Sequence, residues 1–249
     1  MPLHSTDAIV IGGHDLSEAD RIVVFYTQAG GKVRAVAEGA RRMRSRFGGS
    51  LQLFSHGGLV YFERPNRTLH KVNEFGVVRS HHVLREDLDR MVLASTAVEA
   101  VAVGVEEGEA SPDLFRLLAE VLDLLEGSPR PALVMQGYIL HLLRLLGFLP
   151  ELLECVHCRT AVAAVPDVCL SPSQGGLVCA RCRSSVSDAI VGSAAALGFL
   201  RGASGSTLRL IDRISLAPQA LQQVTDILHA FLRQALGRTL RSQDVQARL

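Results

Sequence analysis

Lysine is almost missing from this chain. Of 26 basic residues only Lys32 and Lys71 are lysine, and the rest are arginine. A GC-rich genome produces the same bias along with much Ala, Gly, Val and Leu, so the deficit alone assigns no function. It still matters, because the planar guanidinium donates two hydrogen bonds at once to a phosphate. An uninterrupted apolar run is missing too. The most apolar stretches, Met91–Val105 and Leu133–Leu149, are broken by Glu99 and by His141 and Arg144. They read as buried helices of a soluble protein with no membrane partner. The opening MPLHSTDAIVIGG has no basic stretch ahead of an apolar core, so no secretory signal is expected and the chain is placed in the cytoplasm.

Catalytic signatures are missing as well. Gly31-Lys32 has no glycine at position 26 and is followed by Val33, which excludes a phosphate loop. No G-x-S-x-G or H-E-x-x-H occurs. His81-His82 and the acidic run from Glu106 to Asp113 have no obvious partners; a strand-to-helix junction and a solvated loop account for them. No catalytic residue is assigned, and no repeat or low-complexity segment is seen.

What is present is enough for two domains: 249 residues, 48% of them apolar. The net charge of +1 is unevenly spread. Residues 1–80 carry eleven Lys+Arg against seven Asp+Glu, and the remainder fifteen against eighteen. The positive half is at the front.

Four of the five cysteines fall in two C-x-x-C pairs, Cys155/Cys158 and Cys179/Cys182, with twenty residues between them. Each pair lets two thiolates curl round one ion, and two pairs complete a tetrahedral site. One structural zinc is the expected cofactor, in a reducing compartment. A redox dithiol is the competing reading, and two coordinated pairs fit it badly. Between them Val162–Val165, Val168–Ser171, a turn at Ser173–Gly176 and Leu177-Val178 suggest a small ribbon. Cys169 reads as a small buried hydrophobe, and His157 as an exposed residue of its knuckle.

The periodicity predicts an α+β protein. Residues 1–80 show about five short strands: Ala8–Ile11, Ile22–Thr27, Lys32–Glu38, Leu59–Glu63 and Leu69–Val78. Gly12–Asp15 reads as a turn. Even spacing of this kind predicts a small antiparallel barrel, of which the OB-fold is one solution. From Val83 the period becomes helical, with Glu99 an awkward member of an apolar face. Further helices are predicted from Pro112 to Gly127, Pro131 to Leu146, Ser193 to Gly202 and Pro218 to Gly237. Residues 81–249 are therefore expected to be an α-helical bundle with a zinc module inserted at about 152–188.

Between strands lies a loop rich in arginine. Lys32, Arg34, Arg41, Arg42, Arg44 and Arg46 put six positive charges in fifteen residues against one acid, Glu38. Phe25, Tyr26, Phe47, Phe54, Tyr61 and Phe62 lie close by. Positive charge that follows phosphates and rings that stack on bases are the two components of single-strand binding. A solvated basic loop beside core-filling aromatics is the alternative.

Taken in order, several segments resemble the bacterial recombination-mediator family RecO. They are Leu16–Val23, Gly39–Arg42 continuing through Ser45–Phe47 to Leu51–Phe54, Leu146–Pro150 before Cys155, and Ser171-Pro172 with Gly175-Gly176 before Cys179. The resemblance implies an N-terminal OB-fold, a helical bundle and a zinc module. It implies binding of single- and double-stranded DNA, annealing of complementary strands, and partnership with RecR and the SSB C-terminal tail to help load RecA. Met43-Arg44 stands where the family resemblance leads one to expect lysines. A zinc-containing enzyme of nucleic-acid metabolism and a protein-interaction scaffold are the other functional readings.

Overall fold

The computed structural model describes residues 2–64, 67–162 and 167–246. The chain folds as two compact units, one formed by residues 1–126 with 241–249 and the other by residues 127–240.

The first unit is built on five strands: β1 (Leu3–Asp15), β2 (Arg21–Thr27), β3 (Gly31–Ala37), β4 (His56–Phe62) and β5 (Leu69–Arg79). They close into a barrel in the order β1-β2-β3-β5-β4, with β4 returning to β1. Only β3 and β5 pair in parallel. This is the expected OB-like barrel. Alternate residues of each strand point inward. Val23, Phe25, Val33, Ala35, Leu59, Tyr61, Val72 and Phe75 share one apolar cluster, which Phe47 and Leu51 of the arginine loop complete. The turn expected at Gly12–Asp15 is absent. The strand runs on through it, with a bulge between Val10 and Gly12. The bulge lets one long strand serve β4 with its first half and β2 with its second, which is how a small sheet closes without an edge.

Helices α1 (Val83–Glu86), α2 (Leu88–Gly104) and α3 (Pro112–Gly127) follow. The apolar period suggests one helix from Val83, but Asp87 is extended and breaks it; its carboxylate accepts the Arg90 amide and so caps α2. Buried His81 joins strand to helix, its ring bonded to Phe54 O at 2.9 Å and Asp123 Oδ1 at 3.0 Å.

The turn between β2 and β3 depends on Gly31. Its φ is +62°, and a Cβ there would lie 2.2 Å from Glu109 O. Gly31→Ala therefore meets backbone as well as an unfavourable left-handed conformation. We expect it to lower stability by at least ~2 kcal/mol, read as a shift of the denaturation midpoint. Gly48→Ala is the control. Its φ is also positive, at +49°, but it faces open space, so only the conformational cost of about 1 kcal/mol is expected.

The second unit contains α4 (Pro131–Leu145), a sheet of β6 (Asp167–Ser171), β7 (Gly176–Val178) and β8 (Ile190–Ser193), then α5 (Ala194–Ser204), α6 (Leu208–Ile211) and α7 (Pro218–Leu236). The strand order is β7-β6-β8. Helix α4 is buried on nearly every side, as its uniform apolarity predicts, and α7 ends on Gly237 in the left-handed region. The expected ribbon has a third strand, β8, too short to betray itself by alternation. The segment Val162–Val165 lies, beyond Val162, outside the described residues. Helix α8 (Arg241–Gln246) belongs again to the first unit, where it packs on α2. No helix among the described residues is long and apolar enough to cross a membrane.

Candidate nucleic-acid interface and metal centre

The arginine loop is a succession of tight turns. Amides of Arg42, Ser45, Gly48 and Ser50 each donate three residues back, to Gly39, Arg42, Ser45 and Phe47, at 2.9 to 3.2 Å. Its start is tied to the turn between β1 and β2: the Arg41 amide donates to Ala19 O at 3.0 Å, and the Gly39 amide to Asp20 Oδ1 at 2.8 Å. Its middle is held by Phe47 and Leu51 in the barrel core. Such a loop presents its charged side chains from a fixed backbone.

The six basic residues separate into two groups. Arg41, Arg42, Arg44 and Arg46 are exposed along the loop. Arg41 is steadied by Asp15 at 3.2 Å and by Ser17 O at 2.6 Å. Arg46 lies 4.8 Å over the Phe47 ring. Arg42 and Arg44 have no ion-pair partner among the described residues. Lys32 is placed differently. Its ammonium donates to Ala102 O at 2.9 Å and Val105 O at 2.6 Å, where it satisfies the last carbonyls of α2. Arg34 stands 3.7 Å from Glu107. The one acid of the stretch, Glu38, is neutralised from outside it by Lys71 at 2.6 Å and Arg64 at 3.9 Å. The aromatics fill the core: Phe25, Tyr26, Phe47, Phe54 and Tyr61 are buried. None of these five offers a free face to a base, so the charge of the loop, not a row of rings, characterises this surface.

In the second unit the Sγ atoms of Cys155, Cys158, Cys179 and Cys182 lie within 4.8 Å of one another, and Cys158 and Cys179 are 3.6 Å apart. Bonds of ~2.3 Å to a central ion require separations near 3.8 Å, so small adjustments complete the site. The four sulfurs can hold a metal ion. The first knuckle is closed by the Cys155 amide on Thr160 O and the Arg159 amide on Cys155 O, both 2.9 Å, with Arg159 in the left-handed region. The second knuckle's Cys179 amide points at Cys155 Sγ from 3.4 Å. Four thiols this close cannot all ionise unaided. Hydrogen bonding to Thr160 draws Cys158 down to about 6, while hydrogen bonding to Cys179 pushes Cys182 up to about 12. A divalent ion bound there would remove the conflict by taking all four as thiolates. Cys169 lies apart, buried on β6.

Sequence reasoning missed Arg201, which no motif marks. From α5 its guanidinium donates to Leu152 O at 2.7 Å and Val162 O at 2.8 Å, the two legs of the first knuckle. Arg201→Ala should leave the helices folded and speed metal loss to a chelator several-fold, followed as absorbance of a chelator dye. An unchanged rate would mean the knuckle holds itself.

Comparison with known proteins agrees with this architecture. The family model described as "Recombination protein O N terminal" matches residues 1–81, and "Recombination protein O C terminal" matches residues 85–244. Among similar proteins named "DNA repair protein RecO", that of Desulfitobacterium hafniense (strain DSM 10664 / DCB-2) is 31% identical over 252 residues, covering 100% of this chain and 91% of the relative. That of Symbiobacterium thermophilum is 34% identical over 246 residues, covering 98% and 96%. That of Anaeromyxobacter sp. (strain K) is 35% identical over 233 residues, covering 93% and 91%.

Proposed function

The chain belongs to the RecO family of DNA repair proteins, and from that premise we propose that it is a DNA-binding mediator without catalytic activity. It anneals complementary strands in the cytoplasm and, with RecR, helps load RecA onto SSB-coated single-stranded DNA. The observation that supports this reading most is the exposed arginine series Arg41, Arg42, Arg44 and Arg46 on a loop fixed to the barrel. Lys32 and Arg34 are engaged with the end of α2 and with Glu107, which ties β3 to the segment after α2 and leaves the loop arginines as the freer charges. The metal is one zinc per chain, bound by all four cysteines of the two knuckles and structural, since four thiolates leave no open coordination position.

The partner at the helical half is the acidic, apolar-ended tail of SSB. A peptide of that chemistry needs an apolar seat beside an arginine. Arg144, Leu145, Phe148 and Leu149 are exposed together around the end of α4 and offer both. Titration of the intact chain with the tail peptide, comparing Phe148→Ser with wild type, checks this surface.

The deciding experiment is annealing of complementary strands coated with the cognate SSB, in the presence of ATP. Faster annealing without ATP turnover is expected. Turnover of nucleotide or strand would favour an enzyme of nucleic-acid metabolism. Failure both to anneal and to stay on a DNA column at low salt would leave only a protein scaffold.

A further inference from the structure

A cleft of about 310 Å³ opens between the β1–β2 turn and the arginine loop. Asp15, Arg21, Arg41, Gly48 and Gln52 are among the residues that line it. Arg21 begins β2, paired with Asp15 of β1 on one side and Ala37 of β3 on the other. Its side chain lies over Gly13, whose missing Cβ would sit 3.4 Å from the Arg21 Nε. That Nε–H is buried and has no hydrogen-bond partner among the described residues. A buried donor on a charged group left in this way is costly, and a small rotation of the side chain would offer it to an acceptor in the cleft.

Arg41 faces the same space. Asp15 and Ser17 O already fix its guanidinium, which sets its position without neutralising the cleft: two guanidiniums stand against one carboxylate. An anion with several acceptor oxygens matches a fork on each wall. We propose that this cleft seats a phosphate, specifically one phosphodiester of a bound strand, with Arg21 as a DNA contact outside the basic loop. A strand is favoured over free phosphate because Arg42 and Arg44, on the same loop, are exposed for its neighbouring phosphates. The inference rests on the DNA-binding reading above.

The test uses the intact chain labelled with nitrogen-15, in which the Nε–H resonance of Arg21 is assigned by its loss in Arg21→Lys. Oligo-dT should shift this resonance saturably, and inorganic phosphate should do so only at far higher concentration. Arg21→Gln should weaken oligo-dT binding several-fold and flatten the log–log salt slope by about 0.7, while Arg21→Lys, keeping the charge, should retain the slope. If Arg21→Gln folds poorly, the resonance and the lysine variant carry the test. Wild-type slope in Arg21→Gln with an unmoved resonance overturns the seat and leaves the DNA reading standing. No binding of oligo-dT by wild type sinks the DNA reading and this proposal with it. A resonance that moves with phosphate but not with oligo-dT makes the cleft a free-anion site, which also overturns it.

Discussion

Replacing Cys155 with Ser should abolish stoichiometric zinc binding and unfold more than the two knuckles. Structural zinc contributes about 10–16 kcal/mol of apparent binding free energy in isolated finger peptides, and a lost thiolate forfeits much of it. Sequence alone suggests that the damage stays in an inserted module. The structure argues for a wider effect. Leu152, Leu170, Leu177 and Val178 of the cysteine-rich segment are buried, and β8 runs directly into α5 and packs against α7. Loss of metal should therefore lower the unfolding midpoint of the whole second unit and expose apolar surface to a dye. Elemental analysis of protein purified without chelator should give one zinc per wild-type chain and well under one for the variant. Cys169→Ser should leave the metal content unchanged. Absence of zinc in the wild type would refute the assignment outright.

The second large effect is on DNA. Changing Arg41, Arg42, Arg44 and Arg46 together to Ala should weaken binding to all sequences alike, by roughly ten- to a hundredfold at moderate salt. Each phosphate contact releases condensed counterions, so the log–log salt slope on single strands should flatten by about 0.7 per contact, up to about 3 in all. Stability should change little, because these side chains are exposed and the loop is held by its backbone, Phe47 and Leu51. Arg41 contributes the most to structure, through Asp15 and Ser17, so Arg42→Ala with Arg44→Ala is the cleaner pair. If affinity and slope both survive, the contacting surface lies elsewhere; Arg159, Arg181 and Arg183 around the metal centre are next.

Features with a period or a fixed spacing were legible in the sequence. The five strands, the long helices and the paired cysteines each carry a signal within a few residues. What could not be read depends on distant partners. Gly12–Asp15 has turn composition, yet pairing with β2 holds it extended. Asp87 looks like one more polar position of a continuous helix until its carboxylate is seen to cap a new one. Phe47 sits in a basic run, where a stacking role is easily imagined, and is instead a plug of the barrel. Lys32 counts as positive charge in any window, but its ammonium is used on helix carbonyls seventy residues away. The orphan Nε of Arg21 and the knuckle contacts of Arg201 have no sequence signature at all.

Glu99, the misfit of an apolar helix face, accepts the amides of Arg241 and Ser242 at 2.9 Å and the Ser242 hydroxyl at 2.7 Å. It thereby caps α8 across 142 positions of chain. Every residue of the second unit leaves the ribosome between these two partners. The barrel-bearing unit can collapse early around its own core, but its last helix cannot dock until the other unit has been synthesised. Closing a loop of that length is slow relative to local contacts. During translation the surface of α2 that receives α8, with the Glu99 carboxylate on it, therefore stays uncovered until Ser242 has been added to the chain.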